Sequence, residues 1–181
     1  MNNWLVGVLS FLMISCASAE VKDVPNTVDY VDVKQYMGLW YEIGRFDNSF
    51  QRKCGQTTAE YSLLKSGKVK VVNSCKQPKK HGKLKVAKAI ARIADKESNS
   101  KLKVSFVPIL KYFGVFAGDY WILALDENYQ HVLVGDSNRK FLWILSRTPV
   151  LAEQTIQELL SVADREGFDT SKFKMSPTWV D

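Results

Sequence analysis

Apolar and polar side chains alternate along much of this chain. The alternation is clearest at residues 58–63, 83–86 and 101–106, where one residue in two is apolar. A period of two is typical of β-strands with one face toward a core and the other toward water. Such segments, separated by turn residues, predict eight strands: 39–46, 57–64, 68–74, 83–93, 101–107, 120–126, 131–135 and 141–146. This favours an all-β fold, an eight-stranded antiparallel up-and-down barrel wide enough for one small ligand.

One segment near the C-terminus has helical periodicity instead. Its apolar residues recur at i, i+3, i+4 and i+7, at Ile156, Leu159, Leu160 and Ala163. Thr148 suits the N-cap, Pro149 suits the first helical position, and Gly167 suits the residue that ends the helix. We therefore predict one C-terminal α-helix that packs its apolar stripe on the outside of the barrel.

Connections between the predicted strands alternate in length. The longer ones span 47–56, 76–82, 108–119 and 136–140, and the mostly shorter ones span 65–67, 94–100 and 127–130. Successive connections of an up-and-down barrel lie at opposite ends. We therefore expect the longer set to surround an open mouth and the shorter set to lie at a closed end.

The first nineteen residues form a separate unit. They carry no charged side chain, are apolar from Trp4 to Ile14, and end in small residues at 17–19. The apolar run is shorter than the roughly 20 residues that a membrane-spanning helix needs, so the segment is typical of a secretory signal. We predict a signal peptide at 1–19, a polar leader segment at 20–32, and one barrel domain at 33–181.

Cys16 lies where an exported bacterial lipoprotein carries its lipid. A small residue, Ser15, precedes it, but Met13 stands where the lipoprotein pattern has Leu. Two interpretations stay open: lipid attachment at Cys16, or removal of Cys16 with the signal. The predicted location is accordingly the periplasm, with or without an anchor in the outer membrane.

Cys54 and Cys75 remain after cleavage at residue 19. An even number of cysteines in an exported chain favours a disulfide, and the barrel topology places both at the mouth. Two free buried thiols are the alternative. Two cysteines with no nearby pair of histidines cannot complete a tetrahedral zinc site, so no metal site is predicted.

Two short motifs resemble the paired signature of a known family. Gly38-Leu39-Trp40 opens the first predicted strand, and Arg147 closes the last one. This pair resembles the lipocalins, and residues 38–47 and 143–149 are similar to the bacterial branch of that family, which contains outer-membrane lipoproteins. The resemblance implies a lipocalin barrel over about residues 33–175. It also implies that Gly38, Trp40 and Arg147 are structural, with the guanidinium over the indole at the closed end.

The predicted inward positions supply a candidate ligand site. These positions are Tyr61, Leu63, Val71, Val86, Ile90, Val104, Phe106, Phe113, Trp121 and Trp143, with Leu102, Leu123 and Phe141 as further candidates. Phe113 belongs to an apolar, aromatic segment at 107–118, which is either a lid over the cavity or an exposed patch for a partner. Because side chains can also fill a small barrel, the resemblance, and not the periodicity, favours a cavity.

The resemblance implies a carrier of a fatty acid or a lysophospholipid, with no cofactor. Each buried methylene would contribute about 0.8 kcal/mol, so an acyl chain needs no strong polar contact. The sequence has no nucleophile elbow and no phosphate-binding glycine loop, and His81 and His131 have no motif around them. An enzyme that acts on a lipid in the same barrel is one alternative. An envelope interaction module with a filled barrel is the other.

Composition and charge add a candidate surface. The chain has 181 residues, 46% of them hydrophobic and 24% charged, which suits one globular domain and excludes a coiled coil or a disordered chain. Its net charge is +6, and the stretch from Lys65 to Lys88 holds nine lysines and neither Asp nor Glu. The basic residues expected to ring the mouth are Arg52, Lys53, Lys76, Lys79 and Lys80. They either attract anionic lipids and membrane surfaces or only keep the barrel soluble. The sequence has no nucleic-acid motif, so no nucleic-acid partner is predicted, and it leaves the oligomeric state open.

Overall fold

The computed structural model describes residues 23–106 and 117–177, apart from the side chains of Lys80 and Ala117. Nine strands form in this part of the chain: β1 (Gly38–Phe46), β2 (Thr57–Leu63), β3 (Val69–Gln77), β4 (Lys83–Ile93), β5 (Lys101–Phe106), β6 (Ala117–Leu125), β7 (His131–Gly135), β8 (Leu142–Ser146) and β9 (Phe173–Met175). Two α-helices accompany them, α1 (Val33–Tyr36) and α2 (Glu153–Arg165), with 3-10 helices at Pro78–Lys80 and Thr170–Lys172. All eight predicted strands are present.

The first eight strands close into an antiparallel up-and-down barrel. Each strand pairs with the next, and β1 pairs with both β2 and β8, which joins the two edges of the sheet. A bulge between Glu42 and Gly44 shifts the register where β1 turns toward β8. The short strand β9 pairs with the end of β1, where a Cβ on Gly44 would lie 2.5 Å from the ring of Phe173. The predicted fold class is confirmed.

Helix α2 packs outside the barrel, as predicted, but its start is not at Thr148 and Pro149. The helix begins at Glu153, with Ala152 as the N-cap. The Thr148 hydroxyl donates to the carbonyl oxygen of Val150 at 2.7 Å, a local bond of the kind that competes with helix formation. At the other end Gly167 follows the last turn with a φ of +82°, a conformation that favours glycine.

Two apolar clusters stabilise this arrangement. One lies inside the barrel and includes Trp40, Tyr61, Val71 and Ile122. The other lies between the barrel wall and α2, where the helix residues Ile156, Leu159 and Ala163 pack against outward-facing strand residues: Leu123, Leu133, Leu142 and Ile144. Strands β6, β7 and β8 are therefore apolar on both faces because the helix covers their outer side.

Arg147 and Trp40 form the centre of the closed end. The Arg147 guanidinium lies 3.9 Å from the centroid of the Trp40 ring, and Trp40 is fully buried. The guanidinium also donates hydrogen bonds of 2.8–3.2 Å to four backbone carbonyl oxygens, those of Gln35, Met37, Leu39 and Tyr129. Gly38 has a φ of +98°, and a Cβ there would lie 3.3 Å from the Arg147 guanidinium.

The segment before α1 also belongs to the closed end. Val31 is buried, and its backbone N–H donates to the carbonyl oxygen of Ser98 at 2.7 Å. The Val28 N–H donates to the Ile122 carbonyl oxygen at 3.0 Å. Residues predicted as a leader therefore pack across one end of the barrel. The predicted signal peptide, Cys16 and Phe113 lie outside the described residues.

The opposite end of the barrel carries the disulfide. Cys54 lies in the β1–β2 connection and Cys75 lies on β3, with their Cα atoms 5.5 Å apart and their sulfurs bonded. The predicted pairing is confirmed. Among the described residues no helix has the length and apolar character needed to cross a membrane.

Replacement of Arg147 by Met should lower the free energy of unfolding by about 2–4 kcal/mol, because four carbonyl oxygens lose a charged donor and Trp40 loses its cation. Urea denaturation measures this loss. Arg147→Lys keeps the charge but has no planar fork, so it should recover only part of the stability. Full stability in Arg147→Lys would show that charge alone closes this end.

Candidate functional site

The barrel encloses a cavity of about 440 Å³. Its wall is largely apolar, and Val31, Tyr36 and Met37 line it at the closed end. At the opposite end it is lined by Phe50 and Phe106, which are 46% and 45% exposed. The cavity therefore opens among the longer loops. Its volume lies in the range of about 300–1,000 Å³ that is typical of small-molecule sites.

Five of the predicted ligand residues line this cavity. They are Tyr61, Val71, Val104, Phe106 and Trp143, and the further candidates Leu102 and Phe141 join them. Strand β5 follows the prediction closely, since its alternate residues point inward. The structure brings these side chains together on one surface. Their role in binding stays a prediction.

Two predicted residues on β4 face outward, which is a correction to the predicted orientation of that strand. Val86 is 47% exposed, and Ile90 lies on the outer wall beside Arg92. The inward face of β4 instead carries alanines, of which Ala87 and Ala91 line the cavity. The apolar–polar pattern is misleading here because small residues face inward, where they leave room, and larger apolar residues face water.

Leu63 and Trp121 also lie outside the cavity lining. Leu63 ends β2 at the closed end and is 42% exposed, one pleat beyond the floor formed by Tyr61. Trp121 packs with the cluster under α2, as does the further candidate Leu123, and the ammonium of Lys101 lies 4.6 Å from the Trp121 ring centroid. On β6 the periodicity could not reveal which face is inward because both faces are apolar.

Three tyrosines meet at the floor of the cavity. The Tyr120 hydroxyl lies 2.7 Å from that of Tyr36 and 3.0 Å from that of Tyr61. Burial raises the pKa of Tyr61 to about 12 and holds the pKa values of Tyr36 and Tyr120 well above their usual value. Sequence reasoning predicted only Tyr61. Tyr36 comes from the short helix α1, which no strand pattern could indicate.

An aromatic cluster lies at the mouth. The Phe50 ring is 5.6 Å from Phe141, 6.4 Å from Trp143 and 6.5 Å from Phe106, measured between centroids. Phe141 and Trp143 stack on each other at 5.7 Å. Phe50 thus covers the entrance from the β1–β2 connection, and the disulfide at Cys54 ties that connection to β3.

A charged residue, Glu42, lies in the cavity wall behind this cluster. Glu42 is 3% exposed and forms an ion pair with Arg45. Its second carboxylate oxygen accepts from the Gln51 side chain at 2.6 Å, and Gln51 in turn accepts from the Trp143 indole N–H at 3.0 Å. The sequence does indicate that Glu42 faces inward, because it follows the inward-facing Trp40 by two positions on the same strand. The network fixes the loop that carries Phe50.

Lysines lie at the rim. Lys85 faces the cavity from the mouth end of β4 and donates to the Phe50 carbonyl oxygen at 3.1 Å. Of the predicted rim residues Arg52, Lys53, Lys76 and Lys79 are exposed. Asp47 lies in the β1–β2 connection, where a hydrogen bond from Lys174 lowers its pKa. The described residues contain no cluster of His, Cys, Asp and Glu that could hold a metal ion.

This barrel is closed at one end and contains an apolar cavity that opens at the other. That is the architecture of a small-ligand binding barrel. A family model for the lipocalin-like domain matches residues 31–178. The chain therefore belongs to the lipocalin family. Among similar curated proteins, the outer membrane lipoprotein Blc of Escherichia coli K12 is 42% identical over 164 residues, which cover 91% of this chain and 89% of that protein. This similarity assigns the chain to the bacterial lipocalin branch.

Relatives from other kingdoms have the same domain. Temperature-induced lipocalin-1 of Arabidopsis thaliana is 42% identical over 84% of this chain and 82% of its own, and apolipoprotein D of Mus musculus is 34% identical over 82% and 77%. Among solved structures, insecticyanin of Manduca sexta superposes with a TM-score of 0.66 at 22% identity, covering 84% of this chain and 83% of its own. Lobster apocrustacyanin A1 gives 0.64 at 18% identity, over 87% and 91%. These two structures support the fold.

The floor tyrosines should make the protein sensitive to alkali. Above pH 10 the unfolded chain ionises its tyrosines while the three floor tyrosines stay protonated in the folded state, so the free energy of unfolding should fall between about pH 10 and 12. Each tyrosine contributes a slope of at most about 1.4 kcal/mol per pH unit. Urea denaturation at stepped pH measures the slope. Tyr61→Phe should have a shallower slope, and an identical slope would contradict the assignment.

Proposed function

We propose that this protein is a carrier that binds one single-chain acyl lipid, a fatty acid or a lysophospholipid, and releases it unchanged. The observation that carries the proposal is the apolar cavity of about 440 Å³ that opens at one end. An acyl chain in this cavity would replace water-exposed methylenes by contacts with Val71, Val104 and Leu102, at about 0.8 kcal/mol for each buried methylene. Its relatives' names, among them apolipoprotein D, are consistent with such a ligand.

The position of Lys85 supports an anionic or zwitterionic headgroup at the mouth. Lys85 is exposed and lines the cavity at its open end. A carboxylate or phosphate there would keep its contact with water while its chain lies among apolar side chains. The floor, in contrast, is buried around Tyr36 and Tyr61, and a charged group would lose its hydration there. This arrangement favours entry of the chain end first.

The carrier function is favoured over an enzyme by the state of the nucleophiles. Cys54 and Cys75 are bonded to each other, so neither thiol is available within the cavity they line. Neither His81 nor His131 is among the described residues that line it. Glu42 is held by Arg45, Gln51 and Ser176. Recovery of a bound lysophospholipid with its ester intact would support a carrier, and recovery of free acid would support the enzyme.

An envelope location is part of the proposal. The disulfide suits an oxidising compartment, and similar proteins of Escherichia coli and Citrobacter freundii are named outer membrane lipoproteins. We propose export to the periplasm by the segment at 1–19. The exported carrier has two proposed forms. In one, a lipid is attached to Cys16; in the other, Cys16 is removed with the signal peptide.

Ala87→Trp should abolish binding of hexadecanoic acid, because the indole would occupy the cavity beside Asn73, its partner on β3. Titration with a fluorescent fatty acid and native mass spectrometry measure the loss. Wild-type protein should take up one molecule.

Val86→Trp is the matched control, since Val86 is the neighbouring residue on β4 and faces water. It should bind as the wild type does. Equal loss of binding in both variants would show that the tryptophan disturbs the strand, and unchanged binding in Ala87→Trp would overturn the proposed site. Circular dichroism and melting temperature verify that both variants fold.

The rim lysines are proposed to steer the carrier to anionic membrane surfaces. Replacing Lys76, Lys79 and Lys80 by Gln should weaken binding to phosphatidylglycerol vesicles at low salt, by up to about 3 kcal/mol, with little effect on phosphatidylcholine vesicles. Vesicle co-sedimentation at two salt concentrations measures this effect.

The control removes the same charge from the other end of the barrel. Lys65, Lys68 and Lys96 are exposed in or beside the connections at the closed end. Their replacement by Gln should leave vesicle binding nearly unchanged. Equal losses in the two triple variants would show that net charge, and not the rim, attracts the membrane.

A further inference from the structure

The floor of the cavity contains a polar cluster inside an apolar surface. Tyr36 of α1, Tyr61 of β2 and Tyr120 of β6 come from three separate segments, yet their hydroxyls form one chain with Tyr120 in the middle. All three residues line the cavity. Their neighbours in the lining are apolar side chains, including Val31, Met37 and Ile122.

The three linked hydroxyls have one more hydrogen-bond donor than their two hydrogen bonds use. Three hydroxyls carry three protons, and the two hydrogen bonds at 2.7 and 3.0 Å use two of them. In the part of the chain that the structure describes, these hydroxyls have no further hydrogen-bond partner. Whichever way the two bonds run, one O–H on the cavity lining has no acceptor among the described residues. Leaving a buried donor unmatched costs free energy, so the floor is built to receive an acceptor.

The hydroxyls keep this proton at every physiological pH. Burial raises the pKa of Tyr61 to about 12 and those of Tyr36 and Tyr120 well above their usual value. The cluster is therefore a neutral donor, with spare oxygen lone pairs that also accept. This chemistry matches a hydroxyl or a carbonyl group. A carboxylate is a poorer match at the floor, because the cationic residue among the described lining residues, Lys85, lies at the mouth.

We propose that the three tyrosines are a subsite for an oxygen atom on the buried end of the ligand, so that the carrier prefers acyl lipids oxygenated at or near the end remote from the headgroup. This inference rests on the proposed function, because it requires an acyl chain in the cavity with its headgroup at the mouth. It adds a substrate class: hydroxylated or oxidised acyl chains.

The direct test compares hexadecanoic acid with 16-hydroxyhexadecanoic acid, and repeats the comparison with the pairs of twelve and fourteen carbons. At the chain length that reaches the floor, the terminal hydroxyl should tighten binding by about two- to tenfold, the value of one added hydrogen bond. Isothermal titration calorimetry measures both ligands. A terminal hydroxyl that weakens binding at every length would overturn the subsite.

A triple variant, Tyr36→Phe with Tyr61→Phe and Tyr120→Phe, removes all three hydroxyls and leaves the ring volumes. The triple change is needed because any single remaining hydroxyl still donates. The variant should lose the preference for the hydroxy acid and bind the two acids with equal affinity. Tyr129→Phe is the control, since its hydroxyl accepts from the Asp32 N–H at 2.8 Å and lies outside the cavity lining. It should keep the preference.

The outcomes separate the two proposals. If neither acid binds the wild-type protein, the carrier function fails and the subsite fails with it. If hexadecanoic acid binds and the hydroxyl adds nothing, the subsite alone fails. If the triple variant loses affinity for hexadecanoic acid itself, the carboxyl end lies at the floor, which overturns the proposed orientation. Should the triple variant not fold, the wild-type comparison still decides.

Discussion

The closed end of this barrel depends on a single guanidinium. Four backbone carbonyls, from α1, the start of β1 and the β6–β7 turn, converge where ordinary sheet pairing cannot satisfy them, and Arg147 donates to all four. The same group covers the face of Trp40, which is buried beneath it. Lysine has the charge but cannot direct donors to four acceptors in one plane. These contacts of Arg147 close one end of the barrel, so the cavity opens at the other end.

The cavity exists because the barrel wall alternates in size as well as polarity. On β4 the inward residues are alanines and the larger apolar residues face outward, so the wall there is thin on the inside. On β8 the inward residue Trp143 is large and carries an indole N–H that is bonded to Gln51. One side of the cavity is therefore lined by small side chains, and the other by aromatic ones. Besides the polar groups at the two ends and the Glu42 network, Asn73 of β3 brings a polar side chain to the lining, opposite Ala87.

The sequence alone was sufficient for the eight strands of the barrel, the direction of the mouth, the disulfide and the outer helix. These follow from periodicity and loop order, which are local or topological properties. The errors lie where polarity does not mark the outer face of a strand. On β6 the helix covers the outer side, so Trp121 could not be assigned, and on β4 the inward residues are alanines while the larger Val86 and Ile90 face outward. Tyr36 and Glu42 were missed because neither belongs to an apolar stripe: α1 brings Tyr36 to the cavity, and Glu42 shares the inward face of β1 with Trp40.

The inward alanines of β4 also affect how such a carrier can change over time. An alanine codon becomes a valine codon by one nucleotide substitution, and each such change at Ala87 or Ala91 would fill part of the cavity. The outer face of the strand, its pairing with β3 and the closed end would stay as they are. Ligand shape is thus separated from folding in this strand, and a lineage can exchange one small hydrophobic ligand for another by single steps without passing through an unfolded intermediate form.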